Sequence, residues 1–136
     1  MTRPSTLSNL CRAGMALLLS GSLAYAQSDA RRIALKSGES VELGPVYWVV
    51  KCRSIVVGVP AVEVLEGPAE LELSIKEGMV LPRRQNCAKT VDGGTLVATA
   101  KDVKEPVQAR LTYRVKYKTK DGDRQGGGVI NVSLFP

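Results

Sequence analysis

Val107-Gln108-Ala109-Arg110-Leu111-Thr112-Tyr113-Arg114-Val115-Lys116-Tyr117-Lys118 alternates two kinds of side chain without a break. Val107, Ala109, Leu111, Tyr113, Val115 and Tyr117 fall on one face; Gln108, Arg110, Thr112, Arg114, Lys116 and Lys118 fall on the other. A period of two is the signature of a strand with one buried face. A slip of one residue would turn the whole apolar set outward, so the register of this strand is firmly specified. Beyond it, Asp121-Gly122-Asp123 is a turn signal, and residues 129–135 alternate again, with Ile130, Val132 and Leu134 on one side. The two runs predict a long antiparallel hairpin. Gly126, Gly127 and Gly128 stand at the expected start of its second strand, where they weaken pairing and free the backbone to bend.

Outward from this hairpin the same rhythm recurs. Residues 70–76 alternate Leu71, Leu73 and Ile75 with Glu70, Glu72, Ser74 and Lys76, and residues 61–66 place Val62 and Val64 inward. Residues 46–52 set Val46, Trp48, Val50 and Cys52 on one face, while Tyr47 and Val49 form a second packed face or a patch for a partner. Shorter apolar runs at 32–35, 41–43 and 95–100 complete the set. Turn residues separate them at Ser37-Gly38, Gly44-Pro45, Gly58 to Pro60, Gly67-Pro68, Asp92-Gly93-Gly94 and Glu105-Pro106. No stretch carries a convincing 3.6-residue period. The expected fold is all-β, an antiparallel β-sandwich of about 7–9 strands, with a small barrel as the alternative.

The chain begins with a different texture. Arg3 and Arg12 precede an apolar run at residues 13–23, no acidic residue occurs before Asp29, and Ala24-Tyr25-Ala26 offers small residues two apart. This is the layout of a cleavable secretory signal over residues 1–26, leaving residues 27–136 as one domain. As a membrane anchor the run falls short of the roughly 20 apolar residues a spanning helix needs, so no transmembrane segment remains after cleavage. Cys11 precedes the apolar run, whereas a lipid-modified cysteine would follow it. Losing Arg3 and Arg12 lowers the net charge from +6 by two, to +4. That mild surplus favours anionic neighbours such as surface polymers or lipid head groups.

Cys52 and Cys87 then remain, and two cysteines in an oxidising compartment most simply form one disulfide. It would close a loop of about 36 residues, for which chain entropy gives roughly 4 kcal/mol as an upper figure. With no histidine in the chain, a metal site would lack its usual ligands. No metal and no cofactor are expected.

Leu111-Thr112-Tyr113-Arg114-Val115, Asp121-Gly122-Asp123 and Val129-Ile130-Asn131-Val132 together resemble the last two strands of exported bacterial immunoglobulin-like domains. The run from Val62 to Pro68 followed by Leu71-Glu72-Leu73 is similar to the paired middle strands of such domains. The resemblance implies an immunoglobulin-like sandwich with a binding or structural role and no catalytic residues. The chain departs from the vertebrate-type pattern in lacking a cysteine on the strand of Tyr113. A bridge from Cys52 would therefore reach a loop-like stretch at residues 83–90.

Missing histidine also removes the commonest general base and the usual partner of Ser or Cys nucleophiles. Glu63, Glu66, Glu70 and Glu72 are near one another in sequence, but Glu70 and Glu72 lie on the solvated side of their strand. A carboxylate hydrolase would need two of them in a cleft, about 5 Å apart if retaining. Asp121-Gly122-Asp123 lacks the further acidic positions of a calcium loop. Phe135 ends the last strand as in outer-membrane barrels, but the chain has few aromatic residues and its best strand has a charged outer face.

Two surfaces stand out as candidates for binding. Arg110, Arg114, Lys116 and Lys118 project from one strand face at spacings of about 6.8 Å, and Lys120 and Arg124 continue the row. Its plainer role is to keep the domain dispersed and its edges unpaired. Arg83 and Arg84, before Cys87, sit in a polar loop that the bridge would pin. The expectation is a non-enzymatic module of the bacterial envelope, periplasmic or secreted, meeting an envelope protein or an anionic surface polymer. Nucleic acid is not expected, since no aromatic residues interleave with the basic row for stacking. The alternative is an inhibitor of a secreted or host enzyme acting through the pinned loop.

Overall fold

The computed structural model describes residues 31–83 and 86–136; the predicted leader and Arg84 lie outside them. Among the described residues there are nine strands and no helix: β1 (Arg31–Lys36), β2 (Ser40–Val46), β3 (Val49–Val50), β4 (Arg53–Ser54), β5 (Ala61–Glu66), β6 (Leu71–Val80), β7 (Val91–Ala100), β8 (Val107–Thr119) and β9 (Gly122–Phe135). One sheet runs β1-β9-β8-β5, a second β2-β7-β6, and β3-β4 form a separate small hairpin. The inward rows of the two larger sheets meet in one core, built from Ile33, Leu35, Leu43, Leu71, Leu96, Ala98, Leu111, Val115, Ile130, Val132 and Leu134. Among the described residues no polar or charged side chain is buried. The architecture is the expected all-β sandwich.

The hairpin that decides the fold is present and longer than its sequence signal. Pairing runs from Val107↔Leu134 to Thr119↔Gly122, closed by Lys120 and Asp121. The strand therefore starts at Gly122, with φ 107, and the triple glycine lies inside β9. One pair departs from the antiparallel expectation: β1 runs parallel to β9, from Arg31↔Ile130 to Lys36↔Phe135. Residues 37–39 carry the chain from one sheet to the other, so β1 and β2 edge different sheets instead of pairing.

Two glycine signals read as turns lie inside strands. Gly93 and Gly94 belong to β7, where bulk is excluded: a Cβ on Gly94 would come within 2.5 Å of the Ile75 side chain, and one on Gly93 within 2.4 Å of the Val46 carbonyl oxygen. Gly44 and Pro45 belong to β2, at a bulge where Gly44 takes φ 140. Val64, expected inward, is 41% exposed beside a second bulge between Val64 and Glu66, whereas Val62 packs on the core.

The largest correction concerns residues 46–52. They do not form one strand with Trp48 and Cys52 on a shared inward face. The chain leaves β2 at Val46 and turns sharply at Lys51 and Cys52, whose φ values of 51 and 61 are those a two-residue hairpin turn requires. Cys52 is exposed in that turn and bonded to Cys87, with S–S 2.03 Å and Cα–Cα 5.5 Å. The bridge thus joins a turn to a loop. Trp48 lies instead against Tyr117, ring centroids 5.5 Å apart and tilted by 57°. Tyr47 and Val49 pack on Val80 and Val91, a second small core on the outer side of the β2-β7-β6 sheet.

Candidate functional site

Outward alternation places Arg110, Arg114, Lys116 and Lys118 together on the solvent side of β8, as the sequence requires. The row is not uniformly free. β5 brings Glu63 opposite Arg114, where its carboxylate accepts from Arg114 Nε at 2.8 Å and pairs with Lys116 Nζ at 3.1 Å. The Arg114 hydrogen bond, helped by Lys116, holds the Glu63 carboxyl down at about 2, and the carboxylate in return raises the Arg114 guanidinium. Lys118 faces Asp123 across the hairpin, and Arg110 faces Asn131. Arg32, Gln108, Arg110, Asn131 and Ser133 line a shallow depression at the far end of this face.

The second predicted surface lies on the opposite side of the sandwich. Arg83 is exposed, and its backbone N–H donates to the Tyr47 hydroxyl at 2.9 Å, which ties the loop to the small outer core. It borders a depression with Glu42, Val80, Leu81 and Thr95 on the outer side of the β2-β7-β6 sheet. Arg83 and the basic row therefore do not converge on one site.

What sequence reasoning missed is a cleft between the two larger sheets. Pro45, Val46, Tyr47 and Trp48 form one wall; Tyr113, Val115 and Tyr117 of β8 with Gly126 and Gly127 of β9 form the other, around a volume of about 270 Å³. Cross-strand register explains the opening. Tyr113 faces Gly128 and Val115 faces Gly126, so on the inward side of β9 no side chain covers these residues. A Cβ on Gly128 would come within 2.7 Å of the Tyr113 hydroxyl, whereas one on Gly126 would meet nothing within 4 Å. Burial, opposed by the nearby Arg31 charge, pushes the Tyr113 phenol up. Burial and then Tyr113 push Tyr117 up to about 12, against a hydrogen bond from the backbone of Tyr47. Both hydroxyls are thus neutral donors and acceptors across the ordinary pH range. The usable signal was present in the glycine triplet opposite Tyr113, but only cross-strand pairing shows that the two meet.

This cleft offers aromatic faces, phenol hydroxyls and bare backbone, a combination suited to holding a ligand by contact area and a few hydrogen bonds. Of the clustered glutamates, Glu63 is taken by Arg114 and Lys116, and Glu72 pairs with Lys101. Among the described residues no group of three or more His, Cys, Asp or Glu could hold a metal ion, and no helix is long and apolar enough to cross a membrane. Compared with models of protein families, with curated proteins and with solved structures, the chain matches none.

Proposed function

We propose that this protein is an exported, non-enzymatic binding module of the bacterial envelope, and that the aromatic cleft is where its ligand sits. The observation that carries the reading is the meeting of Trp48, Tyr113 and Tyr117 around an opening that the glycines of β9 leave unfilled, while Tyr47 turns its ring to the small outer core. Trp48 and Tyr113 are half-buried and offer their faces for contact, while Tyr117 is buried and packs on Trp48. The leader-like start and the disulfide support a periplasmic or secreted location. Strand order supports an immunoglobulin-like sandwich: β2-β7-β6 faces β1-β9-β8-β5, the arrangement of such domains with the first strand moved to the second sheet.

A second reading has its own observation. Arg110 and Arg32 share a depression whose lining includes no carboxylate, a place for an anionic surface polymer. The inhibitor alternative is supported only by the disulfide beside Arg83. One pull-down from envelope extract separates the first two readings. Gly126→Phe fills the cleft from a position with room for a Cβ, and Arg110→Glu with Lys118→Glu reverses the basic row. The expected result is loss of the specific partner with the first variant and its retention with the second. Retention by Gly126→Phe would overturn the cleft reading.

A further inference from the structure

β8 pairs with β9 along its whole length, but β1 covers the other side of β9 only from Ile130 to Phe135. Among the described residues, no strand pairs with that side over residues 122–129. These eight residues span about 26 Å of open strand edge. Natural sheets protect such edges with proline, bulges or charge. The other edges here show those devices: Pro45 and a bulge in β2, a bulge and Glu63 in β5, Lys76 and Glu77 in β6. At residues 126–129 there is none, only Gly126, Gly127, Gly128 and Val129. The aromatic cleft opens along this unpaired edge, since Gly126 and Gly127 line it.

We infer that an extended, acidic strand of another protein adds to β9 at residues 122–129, in line with β1, and sends alternate apolar side chains into the cleft. This deepens the binding-module reading and rests on it. Main-chain hydrogen bonds would supply affinity, and the pocket beneath alternate residues would supply selectivity. Charge favours an acidic partner: Arg31 of β1 lies in line with the open edge and Arg124 lies on it, while the one carboxylate of the segment, Asp123, faces Lys118 across the hairpin. The chain's own preceding residues suit the place less well. They include Gln27 and Asp29, polar side chains less suited than apolar ones to an aromatic cleft.

The probe is an eight-residue peptide alternating Glu and Val, with blocked ends. Trp48 is the sole tryptophan, so its emission reports occupancy of the cleft. Amide hydrogen exchange reports pairing on β9. The peptide is expected to shift Trp48 emission and to slow exchange at alternate amides of residues 122–129 by at least about tenfold. N-methylation of the peptide at alternate amides, or Gly126→Phe in the protein, is expected to abolish both effects. Absence of binding, or equal binding of the N-methylated peptide, would overturn strand addition. So would slow exchange at these amides without peptide: concentration-independent slowing assigns the edge to the chain's own preceding residues, and concentration-dependent slowing to a second copy. If Gly126→Phe loses its envelope partner while that partner leaves the exchange of residues 122–129 unchanged, the binding module stands and strand addition falls. If Gly126→Phe keeps every partner, both fall.

Discussion

Glu63 sits between Arg114 and Lys116 on the exposed face of the sandwich, and its ionisation reports whether that grouping persists in solution. Its carboxyl lies at about 2 in the folded protein against an ordinary 4.5, mainly through the Arg114 hydrogen bond. A carboxyl lowered by folding adds stability above its unfolded pKa and loses that contribution as pH falls through the folded one. The window here is therefore from about 4.5 down to about 2. NMR titration of the side-chain carboxyl should place Glu63 near the lower value, and Arg114→Ala should move it upward, with Lys116 still holding it below the ordinary range. A wild-type titration near 4.5 would show that the ion pairs are not maintained. This arrangement was only half legible. The alternation along β8 exposed the cations, but Glu63 is 51 residues from Arg114 in sequence and reaches it only through the β5–β8 register. Glycines divide the same way: Gly94 and Gly126 look alike in sequence, yet one is enclosed by Ile75 and Val46 and the other faces open space.

Among the elements, the β8–β9 hairpin was readable because both its faces are marked, one apolar and one charged, and a turn joins them directly. The β3–β4 hairpin was not. Lys51 and Cys52 adopt left-handed backbone angles that usually call for Asn or Gly, so no turn residue announced it, and the alternation of Val46, Trp48, Val50 and Cys52 suggested a straight strand. The disulfide holds this turn against the β6–β7 loop, near the outer packing of Tyr47 on Val80 and Val91. Replacing both partners, Cys52→Ser with Cys87→Ser, should lower unfolding free energy by up to about 4 kcal/mol, the chain-entropy figure for a loop of this length. Urea unfolding of the oxidised and double-variant proteins measures it. An unchanged midpoint would mean that the hairpin is held without the bridge. Since Tyr47 and Trp48 lead into β3, the variant should also broaden Trp48 emission.

For the whole molecule, the fold class was legible and the sheet order was not. Period-two patterning specifies which face of a strand is buried but not which strand lies beside it. The parallel pairing of β1 with β9 has no local signal, because the partners are about 100 residues apart. Its importance is testable. Deleting residues 132–136 removes Val132 and the fully buried Leu134 and leaves most of β1 without a partner. Losses of this kind in a core cost about 2–5 kcal/mol for each large side chain, comparable to the stability of a domain this size. Circular dichroism should show an unfolded chain; a cooperative native-like transition would mean that β1 is dispensable.

That pairing also sets the timing of assembly. A polypeptide delivered amino end first, by a ribosome or through a narrow translocation pore, presents β1 first and β9 last among the described strands. The seam cannot close until Ile130–Phe135 have emerged, so β1 waits for its partner while the other eight strands are delivered.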